Sequence, residues 1–130
     1  MSRKPTKKSL THHLDRVFSE IVRSQGHCDR CKRSDVYLNC AHIATRTNRR
    51  LRWELLNAMC LCVACHNWWH DYPTLATAWL EENFSEKAEY VRVHQREIAH
   101  RSIPDLQDLL ADLRSRFHNM ELPHRKDKAA

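Results

Sequence analysis

Six cysteines and ten histidines stand in a chain of 130 residues. Four of the cysteines form two C-x2-C pairs, Cys28-Asp-Arg-Cys31 and Cys62-Val-Ala-Cys65, with 30 residues between them, positions 32 to 61. Each such turn presents two thiolates about a metal's width apart, so the pairs predict one tetrahedral structural Zn2+. Something folded must then lie inside the loop that the metal closes. No apolar leader follows the basic N-terminus, and a cytoplasmic, reducing location is expected, where such cysteines bind metal in preference to forming disulfides. Cys40 and Cys60 are left over. Cys40 shares a strand face with Leu38 and reads as a small buried residue, while Cys60 lacks the C-x2-C spacing that Cys62 has.

Directly after Cys65 comes His66-Asn-Trp-Trp-His70. On a helix, positions i and i+4 share a face, so His66 and His70 can chelate one divalent ion. Inside the loop between the cysteine pairs lie Cys40-Ala-His42-Ile43, at the end of an expected strand, and Asn57, five residues before Cys62. In order these supply a general base, an orienting amide and metal ligands. Arg46, Arg49, Arg50 and Arg52 fall between His42 and Trp53 with no acid among them. They are candidates to grip a phosphate backbone, a contact that positions DNA without reading its sequence. His12, His13, His94, His100, His118 and His124 have no comparable context and read as ordinary exposed residues.

The elements that must carry these residues are mostly helical. The hydrophobic fraction is 42% with one glycine and four prolines, which disfavours both disorder and a turn-rich β fold. No apolar run is long enough to span a membrane, and the net charge is +6. Residues 1–9 read as a basic flexible arm and 121–130 as a frayed tail. Between them, 10–120 read as a single domain with a core over 27–73 and helices over 74–118. Leu10, Leu14, Val17, Phe18, Ile21 and Val22 predict a first helix ending near Gln25, where Gly26 supplies a left-handed stop. Asp35–Cys40 alternates as a short strand, and Trp53–Asn57 suits either a short helix or a second strand. Pro73 opens a helix with Leu75, Trp79, Leu80 and Phe84 on one face, and Trp68 and Trp69 are expected to pack on Leu75 and Trp79. A further helix from Ser85 carries Tyr90, Val91, His94 and Ile98. Ser102 and Asp105 form a capping-box start for Leu106, Leu109, Leu110, Leu113 and Phe117. Glu81, Glu82, Glu86 and Glu89 make this region locally acidic and turn it away from DNA.

Taken together, Cys28, Cys31, Ala41-His42-Ile43, Arg52-Trp53, Asn57, Leu61-Cys62, Cys65-His66, Trp68-Trp69-His70 and Pro73 resemble the HNH endonuclease family. Within it they most resemble small phage proteins of the NinG-type recombination nucleases. The resemblance implies a zinc-stapled ββα-metal core, a small β-hairpin and helix, flanked by an N-terminal helix and C-terminal helices. It implies metal-dependent hydrolysis of DNA phosphodiesters, in phage DNA recombination or processing within a bacterial host. His42 would activate water, Asn57 would hold His42 in register, and His66 and His70 would bind Mg2+, Mn2+, Ni2+ or Zn2+. The chain departs from the family at Ala41, where many members carry an Asp or His ligand. Either the ion is held by His66, His70, water and phosphate, or His42 is itself a ligand. The alternative function is a zinc-stapled DNA-binding module without catalysis; an adaptor using Trp68, Trp69 and the C-terminal helices is a further reading.

Overall fold

The computed structural model describes residues 4–129, with side chains over 4–120. In chain order it contains α1 (Lys7–Arg23), β1 (Leu38–His42), a 3-10 turn (Leu55–Asn57), β2 (Ala58–Cys62), α2 (Val63–Asp71), α3 (Pro73–Asn83), α4 (Ser85–His94) and α5 (Ile103–Ala129). The fold is thus mainly helical with a small antiparallel hairpin. It divides into two compact units, Met1–Ile21 with His100–Ala130, and Val22–Ala99. None of the helices is long and apolar enough to cross a membrane among the described residues.

The terminal unit is built from two amphipathic helices. α1 starts at Lys7 because Thr6 and Ser9 cap it reciprocally: Ser9 N–H donates to Thr6 Oγ1 at 3.0 Å and Thr6 N–H to Ser9 Oγ at 3.1 Å. The expected arm therefore gives up Lys7, Lys8 and Ser9 to the helix, and Arg3 lies outside the described residues. Leu10, Leu14, Val17, Phe18 and Ile21 form its buried stripe. In α5 the expected box is present, with Ser102 N–H on Asp105 Oδ2 at 2.8 Å and Asp105 N–H on Ser102 Oγ at 3.2 Å. Leu106, Leu110 and Leu113 are buried along it. Helical backbone continues to Ala129, where a frayed tail was expected from Glu121.

The Val22–Ala99 unit carries the residues of chemical interest. Gly26 takes φ +84°, the left-handed conformation its position predicts, three residues beyond the end of α1. β1 runs later than the alternation suggested and includes His42; it pairs with β2 in the register Leu38 to Cys62, Cys40 to Cys60 and His42 to Ala58. Every residue of β2 is buried, so Ala-Met-Cys-Leu-Cys shows no polar alternation and gave no strand signal. Asp29 fixes the first cysteine turn to β2, its N–H donating to Cys60 O at 2.7 Å and its Oδ2 accepting from Cys60 N–H at 2.8 Å. Ala41, Met59, Leu61 and Leu80 join Cys28, Cys62 and Cys65 in the core, with Trp69, Trp79, Phe84 and Ala88 packed against it. Trp68 meets Trp79 edge to face at 6.1 Å, as expected. Leu75 does not join them: α3 buries Ala76 and Leu80, a phase that leaves Leu75 58% exposed. Ile98 is likewise exposed, because α4 ends at His94.

Candidate functional site

The two C-x2-C turns converge. The Sγ atoms of Cys28, Cys31, Cys62 and Cys65 all lie within 4.8 Å of one another, with Cys31 and Cys62 at 3.8 Å. That separation matches the edge of a tetrahedron with metal–sulfur bonds of about 2.3 Å, and far exceeds the roughly 2.05 Å of a disulfide. The thiols are free, and three of the four are buried. Backbone geometry prepares the site. Cys28 N–H donates to Arg33 O at 2.9 Å and Lys32 N–H to Cys28 O at 3.0 Å, closing the first turn. The Cys62 thiol caps α2 by accepting from Cys65 N–H at 3.4 Å, so the second pair straddles a strand–helix junction.

The acidities of these thiols are split. Burial opposes ionisation of Cys28, but the N–H groups of Cys31, Cys62 and Arg30 outweigh it and bring its pKa down to about 6. Cys65 is pushed up to about 12, by burial first and then by thiol partners including Cys62 and Cys28. The Cys28 thiolate forms readily while Cys65 resists ionisation, and a bound cation would offset the charge of both as thiolates. The donor set fits a structural metal such as zinc. Arg30 adds a positive charge, its Nη1 reaching Cys65 Sγ at 3.5 Å while its guanidinium stacks 3.7 Å above the Trp68 ring. Sequence reasoning missed this role, although Arg30 lies inside the first C-x2-C. Cys40 and Cys60 face each other across the hairpin and stay outside the cluster; burial, then the Asp29 charge, pushes Cys60 up to about 11.

A second group of side chains surrounds the end of the hairpin. His42 closes β1, and its Nε2 lies 2.9 Å from the carbonyl oxygen of Arg52. Asn57 is fully buried and fastens the loop between the strands from within. Its Oδ1 accepts from Ala44 N–H at 2.7 Å, its Nδ2 donates to Ala44 O and Leu51 O at 3.0 Å each, and its carbonyl accepts from Ile43 N–H at 2.8 Å. His66 and His70, one turn apart on α2, bring their Nε2 atoms to 3.1 Å. Two adjacent ligands about 2.0–2.1 Å from one ion stand at this separation. Burial, then the neighbouring His70 and His42, lowers the pKa of His66 and favours its neutral, metal-binding form. His42 is near enough to act electrostatically on His66. Among the described residues the four cysteines are the one group of three or more side chains placed to hold a metal, and the three histidines do not form another. Ala41 is packed into the core at 1% exposure.

The arginines divide. Arg46 and Arg49 are exposed on the loop, and Arg52 is half-buried, donating from Nη1 to Arg46 O at 3.2 Å and lying 5.5 Å from the Trp53 ring. Arg50 departs from the expected set. Its Nε bonds Glu97 and its Nη1 bonds Glu54, both at 2.9 Å, and its Nη2 reaches Tyr90 Oη at 3.3 Å. Only 21% of its side chain is exposed, and it is engaged in ion pairs with Glu54 and Glu97. The four glutamates of α3 and α4 are exposed. Comparison with protein-family models, with curated proteins and with solved structures finds no match to this chain.

Proposed function

We propose that the chain is a metal-dependent DNA endonuclease of the HNH type, stapled by a structural zinc on Cys28, Cys31, Cys62 and Cys65. The observation that carries this reading is the joint placement of three features around one hairpin: His42 with its ring nitrogen on a carbonyl, the buried Asn57 fastening the intervening loop, and the paired imidazoles of His66 and His70. A carbonyl only accepts, so the neutral His42 ring carries its proton on Nε2, and Nδ1 is the nitrogen that would take a proton. Phosphodiester hydrolysis needs such a base, operating near neutral pH, to take the proton of the attacking water. A divalent cation on His66 and His70 would supply the charge that offsets the developing charge on phosphate and leaving oxygen. With no ligand from Ala41, water and substrate phosphate complete its shell, which keeps His42 for proton transfer. Arg46, Arg49 and Arg52 would hold the DNA backbone beside the site.

A supercoiled-plasmid assay tests the reading. Nicking is expected with added Mg2+, Mn2+, Ni2+ or Zn2+ and none in chelator. Full activity in a His42→Ala, His66→Ala double variant would remove the endonuclease assignment and leave a zinc-stapled DNA-binding module.

A further inference from the structure

The loop that carries the Arg52 carbonyl is tied down from two sides. Asn57 holds it from within, through Ala44 and Leu51. From the other side it is fastened to the end of α4. Asn48 Nδ2 donates to Gln95 O at 2.9 Å and accepts through Oδ1 from Leu51 N–H at 3.1 Å. Arg50 makes the larger attachment, joining Glu54 of its own loop to Glu97 beyond α4 while facing Tyr90 of α4. Glu97 in turn accepts from His94 Nδ1 at 2.8 Å, so the far anchor is itself held. A planar guanidinium with donors fixed in a fork suits such cross-linking, and a flexible ammonium does not. Arg50 stands two residues before Arg52, whose carbonyl meets His42 Nε2.

We infer that Arg50 is a positioning residue, which holds the Arg52 carbonyl against His42 by cross-linking the loop to the end of α4, and that it does not contact phosphate. Its kinetic consequence rests on the nuclease reading above, while its structural consequence does not. Losing the cross-link lets the carbonyl move, the His42 ring loses its fixed tautomer, and the base is misplaced by a fraction of an ångström. Misplacement of about 1 Å can lower a rate about 100-fold.

The test uses the full chain purified with zinc, in Arg50→Ala, Arg50→Lys and Glu97→Gln forms. Single-turnover plasmid cleavage is read beside the salt dependence of binding to a short fluorescent duplex. A positioning role predicts cleavage slower by about 10- to 100-fold in Arg50→Ala and Glu97→Gln. The duplex Kd should stay within about twofold, with an unchanged slope of log K against log salt. Arg50→Lys should cleave slowly although it keeps the charge. Glu97→Gln decides the matter if Arg50→Ala fails to fold, because it makes the protein more basic. A phosphate-contact role for Arg50 predicts equal or tighter binding and full cleavage in that variant, and this result overturns the inference. So does a slope shallower by about one in Arg50→Ala with normal cleavage at saturation. Nitrogen NMR of the His42 ring supplies a readout without cleavage. A protonated Nε2 lost in Glu97→Gln supports the inference and one retained unchanged overturns it, even if the wild-type chain cuts no DNA and only the nuclease reading fails.

Discussion

Nε2 of His42 is paired with the main chain of Arg52, 2.9 Å from its carbonyl oxygen. One residue therefore offers two separable features: a backbone acceptor for the His42 ring and a cationic side chain half-exposed on the loop. Arg52→Ala is expected to weaken duplex binding and reduce the salt slope by about one, while the His42 ring keeps its proton on Nε2. A salt titration with ring-nitrogen NMR checks both halves. Loss of the tautomer with unaltered DNA affinity would exchange the roles assigned to Arg50 and Arg52.

Metal analysis should give about one tightly held zinc per chain. Chelation should melt the Val22–Ala99 unit, whose core includes Cys28, Cys62 and Cys65. Cys62→Ser removes a ligand while its hydroxyl can still cap α2, so any failure to fold reports loss of the metal. Acid should release the metal, because its ligands must be thiolates. In the metal-free chain Cys28 has a depressed pKa, about 6 against an ordinary 9.0. Its contribution to stability is therefore full above 9.0 and lost as pH falls through about 6. Zinc retention by a well-folded Cys62→Ser protein would dismiss the four-cysteine site.

Asn57→Ala would strip partners from Ala44 N–H, Ala44 O and Leu51 O around a side chain that no solvent reaches. The expected loss is about 2–4 kcal/mol of folding stability, most of it the cost of unsatisfied buried groups. Asn57→Asp should be nearly as costly, since a carboxylate cannot donate to the two carbonyls. Denaturant unfolding measures both, and a loss near zero would mean the loop does not depend on this amide.

The cysteine turns, the α2 histidines and the cap of α5 were legible because each depends on local spacing: Cys28 to Cys31, His66 to His70, Ser102 to Asp105. Less legible features depend on what lies across the fold. β2 is buried on both faces and so has no alternation, and its strand identity comes from pairing with β1. Arg50 reads like its three neighbours until Glu97, 47 residues later in the chain, is seen to meet it. Leu75 and Ile98 fit helical spacing in sequence, but the phase of α3 and the end of α4 put them outside.

His66 should remain neutral to lower pH than an unperturbed histidine, chiefly through burial and then through His70 and His42. A histidine with a depressed folded pKa stabilises the fold above its ordinary value of 6.5 and loses that contribution as pH falls through the lower one. Proton NMR titration without added catalytic metal should place its midpoint below 6.5. His70→Ala should raise that midpoint by removing a neighbouring positive charge. No change in His70→Ala would mean that the two rings do not form one site.

Single alanine variants separate base from ligand. His42→Ala should keep the fold and duplex binding while cleavage falls by about 10²- to 10⁴-fold, the scale of a lost general base. Added divalent metal should not restore it, because His42 joins no group of three or more metal-holding side chains among the described residues. His66→Ala removes one member of the imidazole pair that stands 3.1 Å apart. It should raise the metal concentration needed for cleavage, with partial recovery at high metal, since His70, water and phosphate can still hold the ion weakly. The measurement is cleavage rate against metal concentration for both variants. Recovery of His42→Ala by excess metal would make His42 the ligand that Ala41 leaves missing. Proton abstraction would then fall to another group, and the Arg52 carbonyl would orient a metal-binding ring by fixing which nitrogen bears its proton.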